Sequence, residues 1–337
     1  MVPLWYNIIY KGSDRMKLLD KIEPVFNIDN EVRDWISKID SKLDYMQITD
    51  KQKRNYMVSK SKVRSIHSSL SIEANSLPLF AVENISNDKP VLGKMNEVQE
   101  VKNAIEAYNH MNQYDYTSEK DFLSAHQIMM KYFEDDNGGY RNHGEGIKKD
   151  NKIVYVAPES ILVPQLMKSL FELLKNSDLN LLILSCIFHY YFVAVHPFSD
   201  GNGRMARLWV TLMLISYNKN FEFVPIEEEI YINQEEYYNS IEQCHINSNA
   251  NVFIKFMLKV IDAALEKIIK STSFVMSDTQ NKIYELIVNN RFITQNEIVE
   301  LLGISIRTVK RNFKILIDNN IIERVGSNKK GYWEVLK

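Results

Sequence analysis

Glycine and cysteine are both scarce here, with 11 and two among 337 residues. Few glycines leave little material for a fold of tight turns, and helical spacing of apolar residues dominates instead. Cys186 and Cys244 lie far apart in no metal-like spacing and read as buried thiols of a reducing compartment. Neither sign of charge is in excess: 41 Lys and Arg face 43 Asp and Glu, so any nucleic-acid or membrane surface has to be local. No Gly-x-x-x-x-Gly-Lys-Ser/Thr segment occurs, which disfavours a P-loop kinase-like enzyme. The apolar stretch Trp5 to Tyr10 has no basic region before it and no small-residue cleavage site after it, so no signal peptide and a cytoplasmic location are expected. From Leu179 to Ser199 there is no Asp, Glu, Lys or Arg. Its length is borderline for a bilayer, and Asn180, Ser185 and His189 interrupt it, so it reads as a helix buried in a large helical domain.

Apolar spacing predicts helices from Glu31 onward and over 63–74, 98–108, 119–132, 162–175, 179–195 and 203–217. Asn75 is the expected stop of the second, because Asn tolerates the left-handed turn that ends helices. Between Gly146 and Val156, a turn-rich centre, Lys148 to Lys152, is flanked by Ile147 and by Ile153-Val154-Tyr155-Val156, which predicts a short β-hairpin. A polar bridge at 271–277 marks a boundary. The expected fold class is therefore mainly α, as a helical region over 1–90, a helical domain with one hairpin over 91–270 and a small domain over 279–337.

The chemistry concentrates in His196-Pro197-Phe198-Ser199-Asp200-Gly201-Asn202-Gly203-Arg204-Met205-Ala206-Arg207. Pro197 cannot continue the preceding helix. Gly201 and Gly203 permit backbone angles denied to other residues and let a ligand approach the main chain. Met205, Leu208, Trp209 and Leu212 then mark a new helix. A glycine loop feeding a helix N-terminus leaves N–H groups unpaired, which suits phosphate. Arg204 and Arg207 oppose the helix dipole there unless an anion neutralises them. Asp200 offers a hard oxygen for Mg²⁺, and His196 a titratable base. Each feature alone is ordinary; twelve consecutive residues holding all of them are not.

This segment resembles the signature of the Fic (Fido) family, His-x-Phe-x-Asp/Glu-Gly-Asn-Gly-Arg-x-x-Arg, at every defined position. Weaker likenesses are Gly139-Tyr140-Arg141 ahead of the hairpin and Tyr237-Tyr238, similar to a tyrosine pair near the nucleotide. The resemblance implies a protein adenylyltransferase that moves AMP from ATP to a Ser, Thr or Tyr hydroxyl. In it, His196 would be the general base, and Asp200 would hold Mg²⁺ (or Mn²⁺). Gly201, Asn202 and Gly203 would form the anion hole, with Asn202 on the α-phosphate. Arg204 would steady the phosphates, Arg207 would reach the γ-phosphate, and Tyr238 would lie at the nucleotide. The hairpin would be a flap that holds the target as an added strand.

Ser69-Leu70-Ser71-Ile72-Glu73-Ala74-Asn75 resembles the family's inhibitory helix, Ser/Thr-x-x-x-Glu-Gly/Asn, with Ala74 in place of Gly or Asn. It precedes the main motif, as in the subgroup with an N-terminal inhibitory helix (class II), here expected at about 63–75. The implied mechanism is a buried, bidentate pair between Glu73 and Arg207 that withdraws Arg207 from the γ-phosphate. Self-modification and removal of AMP stay open, as do the target and a homodimer.

The remaining segment reads as a winged helix-turn-helix: a helix with Ile283, Leu286 and Ile287, a second capped by Thr294 with Glu297, and a third capped by Ser305. The third is expected to bury Ile306, Val309, Phe313 and Leu316 and to present Arg307, Lys310, Arg311 and Lys314 as a stripe. DNA binding, with the lysines of the wing on phosphates, and a packing or dimerisation role both fit. The alternative function for the whole chain is a DNA-binding regulator that uses the Fic portion as a nucleotide sensor. A sensor has no need of a base at His196.

Overall fold

The computed structural model of the protein describes residues 22–46, 51–149, 152–274, 276–327 and 331–336. They fall into two compact units, one up to Asp262 and one from Ala263 onward.

The first unit is helical apart from one hairpin. Helices α1 (Asn30–Tyr45), α2 (Lys51–Ile72), α3 (Leu79–Ser86), α4 (Met95–Asn109) and α5 (Glu119–Met129) precede strands β1 (Gly146–Lys149) and β2 (Lys152–Val156). Then come α6 (Val163–Asn176), α7 (Leu181–Val195), α8 (Asn202–Tyr217), α9 (Ile226–Ile232), α10 (Gln234–Asn247) and α11 (Asn251–Ser273), the last of which carries the chain into the second unit. The charge-free stretch becomes α7, capped by Asn180, whose Oδ1 accepts from Leu182 N at 2.8 Å. It is buried nearly all round, as a core helix should be. No helix among the described residues is long and apolar enough to cross a membrane.

Aromatic rings knit α5, α7 and α8 together: Phe122 lies 5.1 Å from Phe192 and 4.9 Å from Trp209, both edge-on. Phe198, from the motif, is fully buried in the same cluster. Burying each such ring contributes roughly 2–3 kcal/mol, so this cluster fixes the motif loop to the core.

Several expectations need correction. Helix α2 already runs at Lys51, well before Val63, and its buried face includes Ser61, Ser65, Ser68 and Ser69. Its first half is mostly exposed and polar, so no apolar periodicity marks it. It stops through Ala74, which takes φ +66°, and not through Asn75. Helix α5 ends at Met129, and Tyr132 adopts φ +73°. Helix α3 falls in the stretch expected to be helical, up to about Asp88, whereas α9, α10 and α11 lay outside the expected set. In the hairpin, Lys148, Lys149 and Lys152 sit in the paired strands, in register Lys148↔Ile153 and Lys149↔Lys152, and residues 150–151 lie outside the described residues. Both cysteines are buried free thiols, whose pKa burial raises to about 12 for Cys186 and about 11 for Cys244.

The second unit contains α12 (Asp278–Asn289), α13 (Gln295–Leu302), α14 (Ile306–Asp318) and an antiparallel pair, β3 (Ile322–Val325) and β4 (Tyr332–Val335). Capping boxes start α12 at Ser277 and α13 at Thr294, Gly303 turns left-handed at φ +63°, and Ser305 caps α14. Ile283, Ile298, Val309, Phe313, Leu316 and Trp333 share one core. Ile306, expected inside, is 39% exposed, because it opens α14 before the helix has turned its apolar face inward.

Candidate active site

The motif loop is held by its own backbone and by two neighbouring segments. His196 ends α7 in the left-handed region, φ +50°, with its N–H on Phe192 O at 3.0 Å. Non-glycine residues adopt that conformation at a cost of about 1 kcal/mol or more, and functional sites are where such strain collects. Gly201 takes φ +82°, and a Cβ on it would stand 2.6 Å from Met130 Sδ. Asn202 closes the loop on itself: its Oδ1 accepts from Phe198 N at 3.0 Å and its Nδ2 donates to Phe198 O at 2.8 Å. The side chain of Asn202 is thus occupied, and what it offers an anion is its main-chain N–H. Helix α8 starts there, and the first-turn amides of Asn202, Gly203 and Arg204 have no helical acceptor.

Arg141 clamps one end of the loop. It is 2% exposed, and its Nε donates to His196 O at 2.7 Å, its Nη1 to His143 O at 2.6 Å and its Nη2 to Pro158 O at 2.6 Å. Its N–H adds a bond to Pro197 O at 2.9 Å, so one side chain fixes the histidine to the foot of the hairpin. His126 clamps the other end. Gly138 N donates to its Nδ1 at 2.9 Å, which leaves Nε2 to donate to Asp200 O at 3.0 Å. Its ring lies flat on Phe198, centroids 3.5 Å apart. Burial pushes its pKa down to about 4, so the neutral tautomer that this bonding needs is the one present near neutrality. His126 was missed in the sequence and Arg141 was noted only as part of a short likeness; both act at long range, which periodicity does not report. Tyr155 was missed as well: its hydroxyl donates to Ala194 O and its ring stacks on His245 at 4.4 Å, tying β2 to the end of α7.

The charged residues form two pairs. Arg204 Nη2 meets Asp200 Oδ2 at 2.7 Å, with the carboxylate side chain 55% exposed. Arg207 is 1% exposed and turns to the end of α2. Its Nη2 donates to Glu73 Oε1 at 2.7 Å and to Ser69 O at 2.9 Å, and its Nε to Ser69 Oγ at 2.9 Å. The Glu73–Arg207 pair therefore exists but is not bidentate: Ser69 takes Nε and shares Nη2 with Glu73. Burial disfavours the Arg207 charge, and Glu73, with Tyr237 and Tyr108, more than restores it, so its proton is held more tightly than usual. Glu73 lies one residue past α2, so close to α8 that a Cβ on Gly203 would run into its Oε1. Gly203 is therefore required for close approach, while its own backbone is ordinary helix. Ala74 N bonds to Ser71 O at 3.0 Å and Asn75 N to Leu70 O at 3.1 Å, a Schellman ending that aims Glu73 at α8.

Tyr238 is half-exposed, its hydroxyl 3.4 Å from Ile72 O; Gln234 Nε2 reaches the same carbonyl at 3.0 Å. Tyr237 is buried, with its hydroxyl 2.8 Å from His189 Nε2. The pKa of His196 is lowered by burial, against the pull of Glu145, the Val193 carbonyl and Glu73, so its imidazole is neutral and able to take a proton near neutrality. Among the described residues no three His, Cys, Asp or Glu side chains gather as a metal site.

A helix broken at a histidine, an anion-seeking helix start and a buried arginine set the class; relatives agree. The profile of the Fic/DOC family matches residues 116–214, and that of winged helix-turn-helix DNA-binding domains matches residues 276–323. The crystal structure of a Fic family protein from Desulfovibrio desulfuricans G20 is 31% identical, with TM-score 0.71 over 93% of this chain and 98% of that one. A probable protein adenylyltransferase of Aquifex aeolicus (strain VF5) is 28% identical over 152 residues, 44% of this chain and 46% of its own. Protein adenylyltransferase Fic of Culex quinquefasciatus is 24% identical over 225 residues, 63% of this chain and 42% of its own. The chain thus spans less than half the length of these two curated relatives. It belongs to the Fic family and carries a winged helix-turn-helix after its Fic domain.

Proposed function

We propose that this protein transfers AMP from ATP to a hydroxyl of a protein and is restrained by its own Glu73. One observation carries the reading: a neutral, strained imidazole and an unpaired helix N-terminus meet at one loop, where Glu73 holds the arginine best placed for a phosphate. His196 takes the proton of the target hydroxyl as its oxygen attacks the α-phosphorus. The bond from that phosphorus to the β-bridging oxygen breaks, and pyrophosphate leaves. The amides of Asn202, Gly203 and Arg204 stabilise charge on the phosphate oxygens, and Arg204 steadies the phosphates. Asp200 is the one motif carboxylate, largely exposed and beside the amides, which fits Mg²⁺ or Mn²⁺ completed by phosphate and water oxygens. Such an ion would neutralise phosphate charge in the transfer. Arg207 would bind the γ-phosphate once released from Glu73, and Tyr238 borders the same region. The hairpin β1–β2 would hold an extended target segment by main-chain bonds.

Intact-mass analysis after incubation with ATP and Mg²⁺ tests this. Glu73→Gly should gain an adenylyl mass by self-modification at least about tenfold faster than the parent, and His196→Ala should gain none. A Glu73→Gly protein no faster than the parent would refute the restraint; an unmodified one would count against the transfer.

A second activity is supported by the second unit. Arg307, Lys310, Arg311 and Lys314 are all exposed along α14, in the winged helix-turn-helix whose family is named for DNA binding. We expect this helix to lie in a DNA groove, so that Arg307→Gln with Lys310→Gln flattens the salt dependence of a gel-shift titration by about two units of slope. Binding that ignores salt would rule it out.

A further inference from the structure

A cavity of about 230 Å³ lies between α2 and α8, apart from the motif loop. Ser61, Lys62 and Ser65 of α2 line it together with Tyr108 of α4 and Thr211 of α8. Apolar wall comes from Leu212, Ile215 and Phe221. Behind the hydroxyls sits Glu227, fully buried. It accepts from Ser65 Oγ at 2.6 Å, Thr211 Oγ1 at 2.6 Å and Tyr108 Oη at 3.1 Å. Ser65 is one turn from Ser69 on α2, and Thr211 is one turn from Arg207 on α8. Two polar bridges therefore join the same two helices: Glu227 at the cavity, and Arg207 with Ser69 one turn further along.

Lys62 defines what the cavity would hold. It is half-buried, and its one hydrogen bond is to Asn109 Oδ1 at 3.0 Å; no carboxylate among the described residues pairs with it. Glu222, which also lines the cavity, is taken by Arg54 at 3.0 Å. Desolvation weakens the hold of Lys62 on its proton, a penalty that an anion would remove. A half-buried cation with no carboxylate partner among the described residues, at a cavity that also has apolar wall, suits an anionic head on an apolar body. The volume lies below the usual range for drug-sized ligands, which limits the occupant to a small molecule.

We infer that this cavity is a regulatory site for a small apolar carboxylic acid, which pairs with Lys62 and spreads α2 from α8. The regulatory part rests on restraint by Glu73, because spreading those helices would strain the bonds of Arg207 to Ser69. Allosteric coupling of this kind needs a ligand that distinguishes the two arrangements of the helices, and a wedge between them does so.

Calorimetric titration of the full chain with sodium phenylacetate tests the site. Phenylacetate should bind at least about tenfold more tightly than phenylacetamide, a factor that reflects one charge-assisted pair. Lys62→Met should erase that preference, Lys62→Arg should keep it, and Ser61→Phe should block both ligands. Circular dichroism would confirm that each variant is folded. No binding, equal binding of acid and amide, or a preference that survives Lys62→Met would overturn the site. For the regulatory part, phenylacetate should accelerate self-modification of the parent and leave Glu73→Gly unchanged; no acceleration would overturn that part. If Glu73→Gly fails to modify itself while the acid still binds through Lys62, the transfer reading fails and the site stands.

Discussion

Arg204 and Arg207 are three residues apart on the first turns of one helix, yet they live in opposite surroundings. Arg207 is enclosed, with Ser69 and Glu73 meeting its Nε and Nη2. Arg204 is almost as buried, but it pairs only through Nη2, with a carboxylate that faces solvent, and its Nε is buried without a partner. An unmet buried donor costs about 1–3 kcal/mol. The fold thus satisfies Arg207 and leaves Arg204 incomplete beside the loop. Completion of Arg204 by a phosphate would recover that cost on binding.

Breaking each pair separately should give opposite signatures. Glu73→Gln leaves Arg207 enclosed beside a neutral amide, so unfolding free energy should fall by about 1–3 kcal/mol while self-modification rises. Asp200→Asn should change stability by no more than about 0.5 kcal/mol, since that pair is exposed on one side. Its transfer rate should fall about a hundredfold or more. Urea midpoints and adenylyl incorporation measured on both variants decide the matter; equal losses of stability would erase the contrast between the two arginines.

Acid should weaken the fold through its buried histidines, of which His189 lies on the enclosed side. His189 is fully buried beside Tyr237 and near Arg207, and burial lowers its pKa to about 3; His245, stacked on Tyr155, falls to about 4 for the same reason. The unfolded chain binds protons at the ordinary histidine value of about 6.5, where the folded chain refuses them. Stability from these groups is therefore complete above about pH 6.5 and is lost as pH falls toward the folded values. For His189 alone the loss at pH 5 is roughly 2 kcal/mol. Urea midpoints should decline between pH 6.5 and 5, and His189→Gln should show a shallower decline by about one proton. A midpoint flat over that range would mean that the imidazole is not neutral in the fold.

Much of the motif was legible because its logic is local. Pro197 breaks a helix, Gly201 takes φ +82°, and the N-terminus of α8 follows directly, so the anion site could be read from consecutive residues. The Glu73–Arg207 pair was legible only through likeness to a family, because 134 positions separate the partners. What escaped were contacts with no sequence period. Arg141 and His126 act on backbone carbonyls, which every residue carries, so nothing in the sequence singles out their targets. The first half of α2 escaped because it is mostly exposed and polar, with Ser61 its one buried residue before Val63, and α9 and α10 escaped because glutamates crowd their first turns. In α9 the acids Glu227 and Glu229 point inward, in the other two the polar residues are exposed, and apolar periodicity is blind to both.

Ala74 gives the smallest effect and the sharpest geometric test of how Glu73 is aimed. It occupies the C′ position of the Schellman ending at φ +66°, where glycine is the usual residue. A side chain in the left-handed region costs about 1–2 kcal/mol. Glycine would relieve that strain and would add about 0.4–1 kcal/mol of chain entropy to the unfolded state. Ala74→Gly should therefore raise unfolding free energy by about 0.5–1 kcal/mol, read from the urea midpoint. The turn would keep its shape, so Glu73 would still meet Arg207 and self-modification would stay at the parent's low level. A loss of stability would show that the methyl of Ala74 contributes packing that outweighs its strain. A gain of stability accompanied by faster self-modification would show instead that the strained turn presses Glu73 onto Arg207, so that the departure from glycine at this position is itself part of the restraint.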